Sequence, residues 1–356
     1  MNYDAIIVVS FGGPESHDEV LPFLGNVLRG KNVPLERMLA VAEHYYHFDG
    51  KSPINAQNRA LIAALEAELA QHGPKLPIYW GNRNWDPMLA DTLRQMKADG
   101  IQRALAFVTS AYSSYSGCRQ YRENIIGAQA EVGEGAPQID KLRVFYNHPK
   151  FIEVMAERVR DAFAQLPEEV RAHAQLLFTA HSIPLSMADG CDYVKQLQEA
   201  CSLTAEKLAS EGIFSAEDFR LVYQSRSGPP TQAWLEPDIL EYLREVKEEG
   251  KKSAAVIAPI GFISDHMEVL YDLDTEAKAL CKELNLPMAR AATAGTHPKF
   301  VSMIRELIVE RMTPGRERRA IGKFPANHDV CPEGCCKAPQ MGRPEAATQG
   351  GLPVRG

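Results

Sequence analysis

A chain of 356 residues with 45% hydrophobic content is globular and too long for one ordinary hydrophobic core, so two domains are expected. A net charge of −7, with no long basic tract, argues against nucleic acid as a partner. No apolar run approaches a transmembrane segment, and seven cysteines, an odd number clustered partly near the end, do not form a secreted disulfide framework, so a cytoplasmic protein is expected.

Near its start the chain carries Asp4 where an export signal wants basic residues, and the short apolar run Ala5 to Val9 reads as a first strand. It ends in Ser10-Phe11-Gly12-Gly13-Pro14. Paired glycines let backbone approach a ligand, as in a phosphate-cradling loop, but neither Gly-x-Gly-x-x-Gly nor a Walker lysine follows, which disfavours a nucleotide. Helices are expected over 16–30 and 34–48. The second gathers His44, Tyr45, Tyr46, His47 and Phe48 ahead of Ser52, a cluster suited either to a core or to the wall of a pocket for a flat apolar ligand.

An amphipathic helix is expected over 55–72, with Leu61, Ile62, Leu65 and Leu69 at helical spacing. A strand at 76–80, a helix at 87–99 and a strand at 103–109 follow. The run from Ser110 to Tyr121 is crowded with hydroxyls and phenols that are costly to bury unpaired, so it faces water or a polar ligand. A strand at 142–145 closes the first half, and a helix at 149–166 opens the second.

Leu176-Leu177-Phe178-Thr179-Ala180-His181 is a near-continuous apolar run stopped at Pro184, the pattern of a strand buried on both faces. His181 therefore sits at a strand's carboxyl end, where ligands collect in open α/β sheets; the alternative is a core histidine satisfied by a carbonyl. A helix at 193–210, a strand at 219–223, a Gly- and Pro-rich loop to Pro237, a helix at 238–249 and a strand at 253–259 continue the plan. A helix at 265–284, a short strand at 288–292 and a last helix at 298–312 complete it. The fold class is α/β: two Rossmann-like domains with parallel sheets and a cleft between them, at 1–148 and 149–312. The remainder, 313–356, is Gly-, Pro- and Arg-rich and is expected to pack poorly.

Glu268, Asp272 and Glu276 recur at i, i+4 and i+8 on the expected helix, so their carboxylates share one face with about 40° of drift per step. Met267, Val269, Leu270 and Leu273 beside them suggest that the first turn is buried, and a desolvated carboxylate needs a cation or a proton. A divalent metal supplies one. The alternative is a solvated acidic face neutralised by Lys278 and Lys282. An imidazole from His181 across the cleft would complete a nitrogen and oxygen site suited to a first-row divalent ion.

Thr179-Ala180-His181-Ser182-Ile183-Pro184, Gln224-Ser225-Arg226-Ser227-Gly228-Pro229-Pro230 with Trp234-Leu235-Glu236-Pro237, and the stretch from Pro259 to Asp274 resemble signature blocks of the ferrochelatase family. Phe11-Gly12-Gly13-Pro14 and Ser52-Pro53-Ile54-Asn55 extend the likeness, which covers nearly all of residues 3 to 312. It implies insertion of ferrous iron into a porphyrin held between two chelatase-type domains, with the last helix packing back across them. By position it implies His181 and Glu268 as the catalytic, metal-binding and proton-handling pair, with Asp272 and Glu276 continuing the metal path. Ser52, Tyr121, Phe11, Arg29 and Trp234 are the implied porphyrin contacts.

The chain is most similar to the actinobacterial-type branch, whose substrate is coproporphyrin III rather than protoporphyrin IX. Four propionates call for more cationic partners than two, and Arg29, Arg83, Arg119 and Arg122 are the candidates. It departs from some of those relatives at Phe11, where they carry a tyrosine, and at His44, where they carry an arginine. Cys331-Pro332-Glu333-Gly334-Cys335-Cys336 resembles the terminal cysteines that hold a 2Fe-2S cluster in part of the family. Such a cluster takes four thiolates. The relatives' fourth comes from the helix that here reads Phe151-Ile152-Glu153-Val154-Met155, which leaves Cys118, Cys191, Cys201 and Cys281, or a tail of plain reactive thiols.

Two other classes are weighed. A two-lobed protein could bind metal or tetrapyrrole without turnover. Ser182 beside His181 could be a hydrolase nucleophile, but it lacks a Gly-x-Ser-x-Gly elbow, and neighbours on a strand point to opposite faces.

Overall fold

The computed structural model describes residues 2–30, 33–229 and 231–338. Eight strands among them form two parallel sheets. β1 (Ala5–Ser10), β2 (Ile78–Asn82), β3 (Arg103–Val108) and β4 (Gln138–Lys141) are ordered β2-β1-β3-β4. β5 (Ala174–His181), β6 (Phe219–Gln224), β7 (Ala254–Ala258) and β8 (Met288–Arg290) are ordered β6-β5-β7-β8, the same plan again. Parallel neighbours need long crossovers, which helices supply here. In each sheet the first strand lies between the second and third, so the chain reverses its winding there; ligands gather beyond the carboxyl ends at such a switch point. The two switch points end in Phe11-Gly12-Gly13 and in His181.

Side chains alternate along each strand and divide the core accordingly. Ile6 and Val8 of β1 join a core shared by both halves, whereas Ala5, Ile7 and Val9 face Leu93, Met96 and Ile125. In β5, Leu176, Phe178 and Ala180 enter the shared core, and Leu177 turns to the opposite side with Ile257, Val269, Leu273 and Ala277. By the same period Thr179 and His181 fall on Leu177's side, the side covered by the acidic helix.

The last helix, Pro298–Met312, ties the halves together. Phe300, Ile304 and Leu307 share a core with Leu61, Leu65 and Leu69 of the helix Ile54–His72. Arg305 donates to the carbonyls of Gly73 at 2.9 Å and His72 at 3.1 Å. Buried Arg143 grips Glu310 at 2.7 and 3.0 Å. Among the described residues no helix is long and apolar enough to cross a membrane.

One expectation is corrected, and one helix was not expected. The strand expected at 142–145 lies at Gln138–Lys141; Leu142, Val144 and Phe145 are apolar because they pack into the shared core, not because they extend a ladder. A helix at Gln120–Val132 emerges from a stretch too polar to announce it. Residues 313–338 have no helix or strand and are mostly exposed, although polar side chains of other elements reach some of their backbone carbonyls. Asn147 donates to the carbonyls of Phe324 at 2.8 Å and Pro325 at 3.3 Å, Lys195 sits 4.1 Å above the Phe324 ring, and Cys336 is buried. Residues 339–356 lie outside the described residues.

Candidate active site

His181 closes β5, and its Nδ1 is hydrogen-bonded to the carbonyl of Ser182. A carbonyl only accepts, so Nδ1 keeps the proton and the Nε2 electron pair is left for the cleft. Nε2 lies 3.7 Å from Glu268 Oε2. Reaching that position requires the chain after β7 to cross β5 closely. Gly261 makes this possible: its N–H donates to Thr179 at 3.0 Å, and a Cβ there would lie 2.7 Å from the Cα of Ala180.

The acidic helix is composite: α-helical at Met267–Val269, π-helical at Leu270–Ala277 and α-helical again at Lys278–Glu283. Widened turns of this kind are frequent at functional sites. Arg290 on β8 engages Asp274 at 2.7 and 2.9 Å and Asp265 at 3.1 and 3.4 Å, which accounts for two of the acids. Asp272 instead receives hydrogen bonds from Gln224, at 3.1 Å, and from the Ser225 hydroxyl, both at the end of β6. Glu276 stands at the exposed outer end.

The three carboxyls are not electrostatically alike. Glu268 keeps 49% of its side-chain surface accessible. Burial works to raise its carboxyl, but His181, His266 and His44 overcome this and hold it at about 2. His266 Nδ1 is 3.8 Å away. For His181, burial alone would lower the imidazole; the charge of Glu268 beside it, then the Ser182 carbonyl, carry it above its usual value. Burial, aided by the charge of Glu268, lifts Asp272 to about 7 against the hydrogen bonds from Ser225 and Gln224. An imidazole electron pair facing an anionic carboxylate is a seat for one cation, proton or metal.

On the first half, the Gly12-Gly13 turn serves close packing. A Cβ on Gly13 would lie 2.8 Å from the Ser52 Cβ and 2.7 Å from Ile54, and one on Gly12 would lie 2.9 Å from Asn82, so side chains fill the space a phosphate would need. Ser52 is thereby fixed, buried, at the end of β1. The Arg83 guanidinium lies 5.5 Å from the Phe11 ring centre and 4.5 Å from that of Tyr121, linking two positions distant in sequence. Its Nη1 donates to the Ser116 carbonyl at 3.2 Å, and its Nε is buried without a protein acceptor.

Trp234 is buried against the segment after His181, where it bridges Pro184, and its Nε1 has no protein acceptor. Ser182 is buried and donates its hydroxyl to Leu235 at 2.8 Å, which removes it as a nucleophile. Arg29 is set apart: exposed, with its guanidinium held by Asn26 at 2.6 Å. Sequence reasoning missed His266, whose signal is its position two residues ahead of Glu268, and Gln224 and Ser225, whose signal is a strand end beside β5. The gap between the halves is bridged near Glu268 by the Gln57 side chain, which accepts from the Asp265 N–H at 2.8 Å, and by Arg37 bonded to the Ser227 carbonyl.

A second group of donors lies in the tail. Cys331, Cys335 and His328 place one ligand atom each within 4.8 Å of one another, and the Cys335 and Cys336 sulfurs are 3.5 Å apart.

Residues 3–312 match the family model described as Ferrochelatase. A ferrochelatase of Rhodopirellula baltica is 59% identical over 353 residues, covering 99% of this chain and 98% of that one. A coproporphyrin III ferrochelatase of Streptomyces griseus is 50% identical over 363 residues, covering 97% and 96%. Among solved structures, SirB from Bacillus subtilis with Fe3+ has a TM-score of 0.52 at 14% identity over 87% of this chain and 98% of that one, a likeness of fold alone. With both sheets, the acidic helix and the last helix all inside the matched span, the chain belongs to the ferrochelatase family, lyases that insert ferrous iron into a porphyrin.

Proposed function

We propose that this ferrochelatase metallates coproporphyrin III, with His181 and Glu268 as the pair that receives the iron and handles the pyrrole protons. The observation that carries the pair is the 3.7 Å between His181 Nε2 and Glu268 Oε2. Metalation releases two pyrrole protons, so a base must stand beside the macrocycle, and an imidazole suits the task. Proton and metal compete for Nε2, so His181 serves one at a time. Anionic Glu268 stabilises whichever cation is present. Asp272, poised at about 7, can take a proton from that pair near neutral pH and release it along Glu276 to water.

Phe11, Ser52, Tyr121 and Trp234 are proposed to wall the porphyrin, and Arg29 to meet it at the rim. The unpaired Nε of Arg83, held between the Phe11 and Tyr121 rings, supports a carboxylate ligand there and hence a propionate. The separate sheets support domains at 1–148 and 149–312. Relatives named for coproporphyrin III support the substrate. Protoporphyrin IX remains the second reading because Arg119 is already engaged by Glu123 at 2.8 Å and by the Cys335 carbonyl at 3.3 Å, which leaves fewer cations for four propionates. Anaerobic turnover of ferrous iron with each porphyrin separates the two: a higher kcat/KM on coproporphyrin III is expected, and the reverse order would overturn the substrate. Product that stops at one equivalent would indicate a binder.

The tail cysteines Cys331, Cys335 and Cys336 are proposed to hold a 2Fe-2S cluster with one further thiolate, and their close approach to one another fits that group. Such a cluster would supply a one-electron centre.

A further inference from the structure

We infer that Cys118 is the fourth thiolate and that, through it, the tail clamps the Tyr121 wall of the porphyrin cleft. The inference rests on the cluster reading above. Cys118 is buried in the core against which Cys331 packs. Cys335 and Cys336 form a close pair with sulfurs 3.5 Å apart, Cys118 and Cys331 share one core, and a two-iron cluster takes two protein ligands on each iron. Lys141 and Arg122 lie near the Cys118 sulfur and offset the charge that four thiolates bring.

The other cysteines are committed elsewhere. Cys191 donates to the Met187 carbonyl at 3.2 Å. Cys201 is fully buried in the shared core, and Cys281 lies under the second sheet with Leu243 and Val246. His328 is the competing donor: with Cys118, Cys331 and Cys335 it would make a mononuclear site of the zinc type.

Cys118 belongs to the π-helical turn Tyr115–Arg119, which leads directly into the helix that carries Tyr121. Two hydrogen bonds and one packing contact converge on that turn. Arg83, stacked on Tyr121, donates to Ser116, Arg119 donates to the Cys335 carbonyl, and Cys118 shares a core with Cys331. A cluster bound there fixes the turn from behind and, through it, the buried Tyr121 ring and the Arg83 guanidinium stacked on it. Loading the cluster therefore tightens porphyrin binding.

The test uses the full chain, reconstituted anaerobically with ferrous iron and sulfide and followed by iron and sulfide analysis, visible absorption and EPR after reduction. Wild type is expected to gain the chromophore, as are Cys191→Ser and His328→Ala, whereas Cys118→Ser and Cys118→Ala lose it while keeping the wild-type circular dichroism spectrum. Wild type without the chromophore would end the cluster reading itself. A cluster retained in the Cys118 variants, or lost in Cys191→Ser, would end only the Cys118 assignment, and a colourless one-metal protein dependent on His328 would replace it. Stripping the cluster from wild type with a chelator needs no variant and is expected to weaken porphyrin affinity several-fold by fluorescence titration. Equal affinity before and after stripping would overturn the clamp.

Discussion

The imidazole of His44 lies flat on the ring of Tyr271, 3.7 Å between ring centres and 7° between planes, joining a helix of the first half to the acidic helix of the second. The contact sits one residue from Asp272 and within the electrostatic reach of Glu268. It bridges the two halves beside the proposed iron pair.

If that stack must part, its removal should ease entry. Aromatic pairs contribute about 0.5–1.5 kcal/mol, so His44→Ala is expected to raise the porphyrin association rate by roughly 2- to 10-fold. Stopped-flow fluorescence measures it, and an unchanged rate would mean that the porphyrin enters by another route.

Protonated His181 cannot accept iron, so kcat/KM is expected to fall as pH drops through the raised imidazole pKa. In Glu268→Gln the imidazolium loses its main partner, its pKa falls, and the acid limb moves to lower pH while maximal turnover drops. Because the folded value lies above the unfolded one, the stability His181 contributes is full below the unfolded pKa and is lost as pH rises through the folded one. The site is thus most stable where it is least active. Histidine ring NMR across pH 5 to 9 would expose an error in sign.

Asp272→Asn keeps the shape of the group but cannot carry a proton at neutral pH. Turnover is expected to fall by about 10- to 100-fold, with a smaller loss for Glu276→Gln at the exposed end. Equal losses in the two variants would argue for a shared field effect instead of a relay through Asp272.

Arg83→Met should act on binding. A charge-assisted hydrogen bond contributes about 1.5–3 kcal/mol, so the Kd for coproporphyrin III is expected to rise roughly 10- to 100-fold, with kcat little changed. A variant that binds as wild type would remove Arg83 from propionate recognition.

The parts of the site that rest on local pattern were legible in the sequence. A buried run halted by a proline gives β5 and the position of His181, and a four-residue repeat of acids gives the helix that faces it. The π-helical turns were not legible, because shifting a helical hydrogen bond by one residue leaves the apolar spacing nearly intact. The raised value of Asp272 comes from its burial and from Glu268, opposed by Ser225 and Gln224 at the end of another strand, and the Phe11, Arg83 and Tyr121 stack needs three separated segments to converge. Leu142 to Phe145 misled because burial in a packed loop and burial in a strand select the same residues. The composition of the tail reports its lack of regular structure but not the side chains on other elements that reach its backbone.

The most direct measurement pairs anaerobic iron insertion with porphyrin binding for His181→Ala. Porphyrin affinity close to wild type with no metallated product is expected; insertion at a wild-type rate would mean that the iron is received somewhere other than between His181 and Glu268.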